Sequence, residues 1–207
     1  MNKVITVSRF TFHVSRGGES RGFRVTGVDR TTAYLERARR QAVEEGLNAE
    51  FVHEDMRSFR RPETFDGAIN LFTSFGYFQD PAEDLQVVRN LHASLKPGGR
   101  LVMELMGKEV LARIFRERDW HQDEDGTLFL EERTISSGWD WIENRWITID
   151  GSQRTEFTLG HRLYSGTELA ALLRQAGFTS VTLYGGLAGG PYDHTAPRLA
   201  AVAQKSD

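Results

Sequence analysis

The chain of 207 residues is 39% hydrophobic and 27% charged, which suits one globular domain with a small insertion. Its formal net charge of −3 provides no basic field of the kind that attracts nucleic acid, so no nucleic-acid partner is expected. Cysteine is absent, which excludes disulfides, cysteine-ligated zinc and a thiol nucleophile, and no metal site is predicted.

No stretch of the sequence predicts a membrane segment. None of the apolar runs approaches the ~20 residues that are needed to span a bilayer. The N-terminal stretch 1–20 is interrupted by Arg9 and His13, and it lacks the apolar core of a signal peptide. We therefore expect a soluble, cytoplasmic protein without a membrane partner.

The first half of the chain alternates between strand and helix patterns. A β-branched run at 23–29 predicts a buried strand, and the amphipathic segment after it predicts a helix that ends at Gly46. A second helix is predicted after Asp80, an N-cap residue followed by proline at the first helical position. Further strands are predicted at 49–55, 65–72 and 100–106. This alternation predicts a parallel sheet covered by helices on both faces.

The pattern changes after a predicted helix near 108–118. Three strand-like segments follow one another with only short polar turns between them, which predicts an antiparallel insertion at about 120–165. Ser165 and Glu168 then form a capping box for a helix that Gly177 ends. Two final strands are predicted to complete the main sheet, and the last of them is expected to be antiparallel.

These patterns divide the chain into three predicted segments. Residues 1–119 are expected to form an α/β core, although residues 1–21 are atypical for one. Residues 120–165 would form the antiparallel β insertion. Residues 166–207 would supply the C-terminal helix and strands that complete the core.

The order of these elements resembles the class I S-adenosylmethionine-dependent methyltransferases. The matching motifs cover residues 22–205 in the family's order, and they are VTGVD, FVHEDMRSF, FDGAINLFTSFGYF, LKPGGRLVMEL, LYSGTELAALLRQAGF and RLAAVAQK. The insertion is similar to that of bacterial small-molecule members such as amino-sugar N-methyltransferases. The resemblance implies a Rossmann-like, mostly parallel α/β sheet with a small antiparallel β insertion. It also implies an enzyme that uses S-adenosyl-L-methionine to methylate a nitrogen or oxygen atom of a small molecule.

The resemblance assigns a cofactor role to residues after three of the strands. Asp29, with Arg30 next to it, would accept hydrogen bonds from the two ribose hydroxyls, a role that needs a carboxylate because both partners are donors. Asp55 would accept a hydrogen bond from the adenine amino group, while Met56 would pack on the ring. The cofactor's methionine end would be lined by Asn70, Leu71 and Phe72.

Each of these residues also has a purely structural interpretation. Asp29 could cap the helix that follows it, Asp55 could be an ordinary loop acid, and Phe72 could pack in the core. The same two possibilities apply to the candidate catalytic residues. Tyr77 would lie between cofactor and substrate. His161 on the insertion is the best-placed candidate base, and His121 and His194 are weaker candidates. Trp139, Trp141 and Trp146 could wall a substrate pocket or merely pack the insertion.

One element of the family's pattern is missing from the N-terminal residues. The family has an acid followed by a GxGxG loop about 20 residues before the ribose-binding acid. Here the stretch at 3–14 can form a strand, but only Gly17-Gly18 follows it, without an acid or the GxG spacing. We therefore expect weak cofactor binding and an exposed sheet edge without a proper first strand. An alternative start or a frameshift in the gene would explain why the match fails before residue 22.

Two other function classes remain open on the sequence. The missing loop favours a truncated or pseudoenzyme chain with a non-catalytic interaction role. A nicotinamide-dependent oxidoreductase would use Asp29 in the same way, but it lacks the glycine fingerprint equally. The LKPGGRLVMEL motif and the closing two strands fit an oxidoreductase worse than a methyltransferase.

Overall fold

The structure is a computed structural model that describes residues 3–7 and 22–207. The strands are β1 (Lys3–Val7), β2 (Arg24–Asp29), β3 (Glu50–His53), β4 (Phe65–Asn70), β5 (Leu95–Leu105), β6 (Arg118–Gln122), β7 (Leu128–Ile135), β8 (Trp141–Asp150), β9 (Gln153–Arg162), β10 (Ser180–Tyr184) and β11 (Leu199–Gln204). The helices are α1 (Thr32–Glu44), α2 (Pro81–Ser94), α3 (Lys108–Ile114) and α4 (Gly166–Gln175).

The main sheet has seven strands in the order β10-β11-β5-β4-β1-β2-β3. Strands β3, β2, β1, β4 and β5 run parallel to one another. Strand β11 is antiparallel to both β5 and β10. The prediction of a mostly parallel sheet with an antiparallel last strand is thus confirmed. The chain moves outward from β1 to β3 and then returns to β4 on the other side of β1. Open α/β sheets bind ligands at such a reversal of strand order.

The first strand is present, so the expectation of an exposed edge without it is wrong. β1 pairs with β2 on one side and with β4 on the other, in the middle of the sheet. Ile5 and Thr6 are fully buried. The run KVITV is rich in β-branched residues, as a strand buried on both faces should be, even though the glycine motif does not follow it. The segment with Gly17-Gly18 lies outside the described residues.

The predicted helix signals correspond to real helix ends. Helix α1 buries the predicted face, and α2 begins with the Asp80 side chain accepting a hydrogen bond from the Ala82 amide at 2.8 Å. The capping box of Ser165 and Glu168 begins α4. Among the described residues, no helix is long and apolar enough to cross a membrane.

The second sheet has four antiparallel strands in the order β6-β7-β8-β9. Three of them were predicted, but β6 was not, because its sequence RDWHQ shows no alternation of apolar residues. Helix α3 accordingly ends at Ile114, earlier than predicted. The division of the chain into three segments remains a prediction.

A buried ionic cluster joins this second sheet to the core. The side chain of Asp84 on α2 is fully buried, and its Oδ2 accepts hydrogen bonds from Tyr164 at 2.7 Å and from Arg162 at 3.2 Å. Arg162 also donates to the carbonyl of Gln79 at 2.6 Å. Burial raises the pKa of Asp84, and the hydrogen bond and charge of its two partners oppose this rise. The cluster fixes the end of β9 against the loop that carries Tyr77.

Candidate functional site

A cleft lies at the carboxyl ends of β2 and β3, against the loop that follows β4. We call it the strand-end cleft, and it is lined by Val28, Asp29, Arg30, Thr31, Glu54, Asp55, Met56, Ser74, Tyr77, Phe78 and Leu159. The space of this cleft, counted together with the open solvent at its mouth, is about 720 Å³. Four predicted cofactor residues are therefore brought together: Asp29, Arg30, Asp55 and Met56.

Among the residues that the structure describes, only one carboxylate oxygen of Asp29 has a hydrogen-bond partner. Its Oδ1 accepts a hydrogen bond from the Thr31 amide at 2.7 Å, in a turn that leads into α1. The N-cap residue of α1 is Thr31, so Asp29 is not the cap that the structural interpretation supposed. Oδ2 of Asp29 has no hydrogen-bond partner among the residues that the structure describes. It is available to accept from a hydroxyl donor in the cleft.

Both carboxylate oxygens of Asp55 accept hydrogen bonds from Arg57. Its Oδ1 accepts from the backbone and Nε of Arg57 at 2.8 and 3.0 Å, and its Oδ2 accepts from Nη2 at 2.8 Å. The hydrogen bonds from the Arg57 side chain, with the charge of that residue, hold the pKa of Asp55 below its usual value. Three of roughly four acceptor positions of this carboxylate are used, which leaves about one for a ligand.

Arg57 is a residue of this site that sequence reasoning missed. Its Nη1 donates to Glu83 at 2.6 Å, and its guanidinium lies 4.5 Å from the ring centre of Phe78. The hydrogen bonds that Arg57 donates to Asp55 and Glu83, together with their charges, raise the pKa of Arg57 further above its already high value. Because Phe78 lines the cleft and is itself buried, Arg57 fixes an apolar wall next to Asp55. The motif EDMR offered no signal for this packing, which depends on α2 and the loop before it.

Two predicted residues do not reach the cleft. Asn70 is fully buried, and its amide donates to the Ser74 carbonyl at 3.2 Å. Leu71 is buried as well, and neither side chain lines the strand-end cleft. Their role at the cofactor's methionine end remains a prediction.

The turn after β4 is strained. Phe72 and Thr73 have φ values of 58° and 55°, although neither is glycine. Backbone strain of this kind costs ~1–3 kcal/mol per residue and concentrates at functional sites. Glu104 on β5 holds the turn, because its Oε2 accepts from the Phe72 amide at 2.8 Å and its carbonyl accepts from the Thr73 amide at 3.1 Å. Arg198 binds Glu104 and also donates to Thr73 Oγ1 at 2.8 Å.

A second space lies between this turn and the antiparallel sheet. We call it the inter-sheet pocket, and it is lined by Phe72, Thr73, Tyr77, Met106, Leu111, Arg133, Ile142, Asn144, Trp146, Leu159, His161, Leu163 and Arg198. Phe72, predicted as a cofactor residue, is 47% exposed and lines this pocket instead of the cleft. Tyr77 and Leu159 line both spaces. The two spaces therefore meet at these side chains.

The two candidate catalytic residues lie next to each other at this junction. The ring centres of Tyr77 and His161 are 5.8 Å apart, and the Tyr77 hydroxyl donates to the Thr73 carbonyl at 2.6 Å. Gly76 allows this approach: its carbonyl accepts from the Arg162 amide at 2.6 Å, and a Cβ there would lie 2.8 Å from the Arg162 carbonyl. Burial lowers the pKa of His161 to about 4. The ring is thus neutral at physiological pH.

The other histidines and tryptophans differ in their placement. Trp146 lines the inter-sheet pocket, whereas Trp139 and Trp141 line neither space. His121 stacks on Phe129 near the end of the second sheet, outside both spaces.

Comparison with known proteins agrees with this architecture. A family model described as a methyltransferase domain matches residues 8–99. No curated protein matches the chain's sequence.

Solved structures with this fold are numerous, and three illustrate the similarity. A S-adenosylmethionine-dependent methyltransferase from Clostridium acetobutylicum has a TM-score of 0.85 at 13% identity, over 100% of this chain and 85% of that chain. The CcbJ methyltransferase from Streptomyces caelestis has a TM-score of 0.87 at 17% identity, over 100% of this chain and 84% of that chain. A sugar N-methyltransferase from Streptoalloteichus has a TM-score of 0.74 at 20% identity, over 100% of this chain and 81% of that chain. The chain thus contains a methyltransferase-domain match at residues 8–99 and has, over its whole length, the fold of S-adenosylmethionine-dependent methyltransferases, the family that its sequence motifs resemble.

Proposed function

We propose that the chain binds S-adenosylmethionine in the strand-end cleft and methylates a nitrogen or oxygen atom of a small molecule in the inter-sheet pocket. The observation that supports this most is that the two spaces meet at Tyr77 and Leu159. Direct displacement at a methyl group needs donor and acceptor in line and in contact, and the protein mainly supplies that alignment. Two adjoining compartments provide it.

The residues of the strand-end cleft suit this cofactor. The free oxygen of Asp29 can accept from a ribose hydroxyl, and Asp55 has about one acceptor position left for an amino group. Met56 and Phe78 supply apolar surface for a flat ring between these carboxylates. When bound, S-adenosylmethionine supplies an electrophilic methyl group.

The residues of the inter-sheet pocket suit an acceptor whose reacting atom arrives with a free lone pair, as in a neutral amine. His161 is neutral at pH 7, but a histidine with a pKa of about 4 is a weak base. An amine that enters this buried pocket is favoured in its neutral form, which is also the nucleophilic form. The sugar N-methyltransferase among the structural neighbours is consistent with a nitrogen acceptor here.

Calorimetric titration with S-adenosylhomocysteine and with NADH tests the proposal. We expect the chain to bind S-adenosylhomocysteine and not NADH. Asp29→Asn should weaken binding about tenfold, because the substituted amide keeps the turn with Thr31 but places a donor where Oδ2 accepted. Asp125→Asn is the matched control, since the Thr127 amide makes the same turn bond to Asp125 at 2.9 Å in an exposed loop.

Binding of NADH in preference to S-adenosylhomocysteine would establish the oxidoreductase alternative instead. Binding of neither would favour the pseudoenzyme, which the missing glycine motif of residues 8–21 supports. Equal affinities of the Asp29→Asn variant and the native chain would remove Asp29 from the site.

A further inference from the structure

The inner face of the antiparallel sheet forms one wall of the inter-sheet pocket. Alternate residues of three adjacent strands point to this face, because the register pairs Arg133 with Asn144 and Asn144 with Leu159. The wall residues on this face are Arg133, Ile142, Asn144, Trp146, Leu159 and His161. Their chemistry decides which acceptors fit.

Both cations of the pocket are already neutralised by the protein. Arg133 pairs with Glu131 and also donates to the Arg116 carbonyl at 3.2 Å. Arg198 pairs with the buried Glu104 and holds the turn after β4. An anionic acceptor would have to displace one of these two carboxylates from its arginine, which is costly, most of all at the buried Glu104. The pocket therefore favours an uncharged molecule.

Asn144 is the exception to this internal pairing. The residue is 6% exposed, and its side-chain amide forms no hydrogen bond to any other residue that the structure describes. Its polar side-chain atoms are not sealed from solvent, because they face the space of the pocket. Because Asn144 lines the pocket, its carbonyl oxygen and NH₂ group are both open to a ligand there.

Fixed neighbours surround this amide. Trp146, two residues along the same face, donates its indole Nε1 to Glu131 at 3.1 Å and packs edge-on against Phe157 with ring centres 4.8 Å apart. On the other side, His161 lies diagonally across the strand pair, at a separation of roughly 7–8 Å between backbone positions. Asn144 thus lies between a fixed aromatic surface and the candidate catalytic histidine.

We propose that Asn144 is the residue that recognises the methyl acceptor, and that the acceptor is an uncharged ring with an adjacent hydrogen-bond donor and acceptor on its edge. The Asn144 oxygen accepts from the ring's donor, the Asn144 NH₂ donates to its acceptor, and the ring packs against Trp146. This inference rests on the proposed function, in which the inter-sheet pocket holds the acceptor. Two sources offer such an edge: a flat lactam-type heterocycle and a saturated ring with neighbouring hydroxyls.

Small probe molecules test this recognition without a known substrate. Ligand-observed NMR titrations would use 2-pyridone for the flat ring and cis-1,2-cyclohexanediol for the saturated ring, each with its methyl-blocked form as control. For at least one pair, we expect the unblocked probe to bind about tenfold more strongly, since blocking removes a neutral hydrogen bond and adds a steric clash. Asn144→Leu, of similar volume, should abolish that preference. Asn144→Asp, which keeps acceptors but loses the donor, should weaken the unblocked probe.

Two further measurements separate this role from a structural one. Asn144→Leu should change the melting temperature little, because the amide faces the pocket and makes no hydrogen bond to another residue that the structure describes. It should also leave the affinity for S-adenosylhomocysteine unchanged, since Asn144 does not line the strand-end cleft. If the native chain prefers neither unblocked probe, or if Asn144→Leu retains the preference, the proposal is wrong. Probe binding at Asn144 without S-adenosylhomocysteine binding would support this inference while contradicting the proposed function.

Discussion

At the scale of single residues, burial controls the charge of His161 in the inter-sheet pocket, where we propose that the methyl acceptor binds. His161 is held neutral because desolvation penalises its charged form, and its ring makes no hydrogen bond to another described residue. A neutral imidazole beside Tyr77 can orient an acceptor, but it is too weak a base to take up a second proton at physiological pH. The reaction proposed here therefore depends on alignment more than on proton removal.

This burial predicts a specific pH dependence of stability. The pKa of His161 is lowered from 6.5 to about 4 in the folded chain, so the unfolded chain binds more protons between these values. The stability that the neutral ring contributes is complete above pH 6.5 and is lost as the pH falls toward 4. Between about pH 7.5 and about pH 5, we expect His161→Gln to gain about 2 kcal/mol relative to the native chain. Urea unfolding at both pH values measures this difference.

The exposed His194 provides the control for this experiment. His194→Gln should change the unfolding free energy by less than about 0.5 kcal/mol, because its side chain is exposed. An equal pH response of His161→Gln and the native chain would show that His161 is not buried as the structure has it.

At the scale of elements, the central position of β1 matters most for the fold. Between β2 and β4, this strand connects the two halves of the parallel sheet and brings their carboxyl ends to one edge. Without it, Asp29 on β2 and the loop residues Ser74 and Tyr77 after β4 would not line the same cleft. The strand-end cleft therefore depends on residues 3–7.

We expect Ile5→Ala to destabilise the chain by about 2–5 kcal/mol, as for other large-to-small changes in a core. Ile5 is 0% exposed in the middle of the main sheet. Val43→Ala on α1 is the matched aliphatic control, because Val43 is 81% exposed and should change stability by less than about 0.5 kcal/mol. Denaturant unfolding of both variants measures the effect. Similar stabilities for the two would place β1 outside the sheet.

The ionic cluster that joins the second sheet to α2 gives a second prediction at this scale. Tyr164→Phe removes the 2.7 Å hydrogen bond to the buried Asp84 and leaves that carboxylate to Arg162 alone. We expect a loss of about 1–3 kcal/mol in unfolding free energy. Tyr34→Phe, at a tyrosine that is 45% exposed, should be nearly neutral. If Tyr164→Phe leaves the unfolding free energy unchanged, the cluster does not hold the two sheets together.

The elements also show how far sequence reasoning reaches. Local signals were sufficient where one segment determines its own structure, as in the Asp80 cap, the capping box at Ser165 and the strand that ends at Asp29. They failed where pairing partners decide, as in the polar strand β6, whose place depends on β7. The β-branched sequence of β1 is sufficient to form a strand, and the absence of the glycine motif after it does not prevent this.

The candidate site shows the same limit. Asp29 and Asp55 were predictable because each directly follows a strand, and strand ends meet at one edge of a parallel sheet. Arg57 and Asn144 were not predictable, since one depends on helix α2 and the other on the register of β8 with its neighbours. The left-handed turn at Phe72 gave no sequence signal either, because non-glycine residues rarely adopt it.

At the scale of the whole molecule, the fold provides two compartments, but the sequence lacks the family's glycine motif next to the first of them. Residues 8–21 contain Gly17-Gly18 without the GxGxG spacing. Losing two or three backbone hydrogen bonds to a charged group costs several kcal/mol, at roughly 1.5–3 kcal/mol each. We therefore expect S-adenosylhomocysteine to bind with a dissociation constant in about the millimolar range, instead of the micromolar range. Micromolar affinity in calorimetry would show that residues 8–21 replace the motif.

The most direct test of the proposed arrangement is a crystal structure of the chain with S-adenosylhomocysteine, at a concentration well above this dissociation constant. We predict that the ribose hydroxyls lie within hydrogen-bond distance of Asp29 and that the adenine lies between Asp55 and Phe78. The sulfur should point toward Tyr77 and the inter-sheet pocket. Ligand bound elsewhere, or bound with its ribose away from Asp29, would contradict the assignment of the strand-end cleft as the cofactor site.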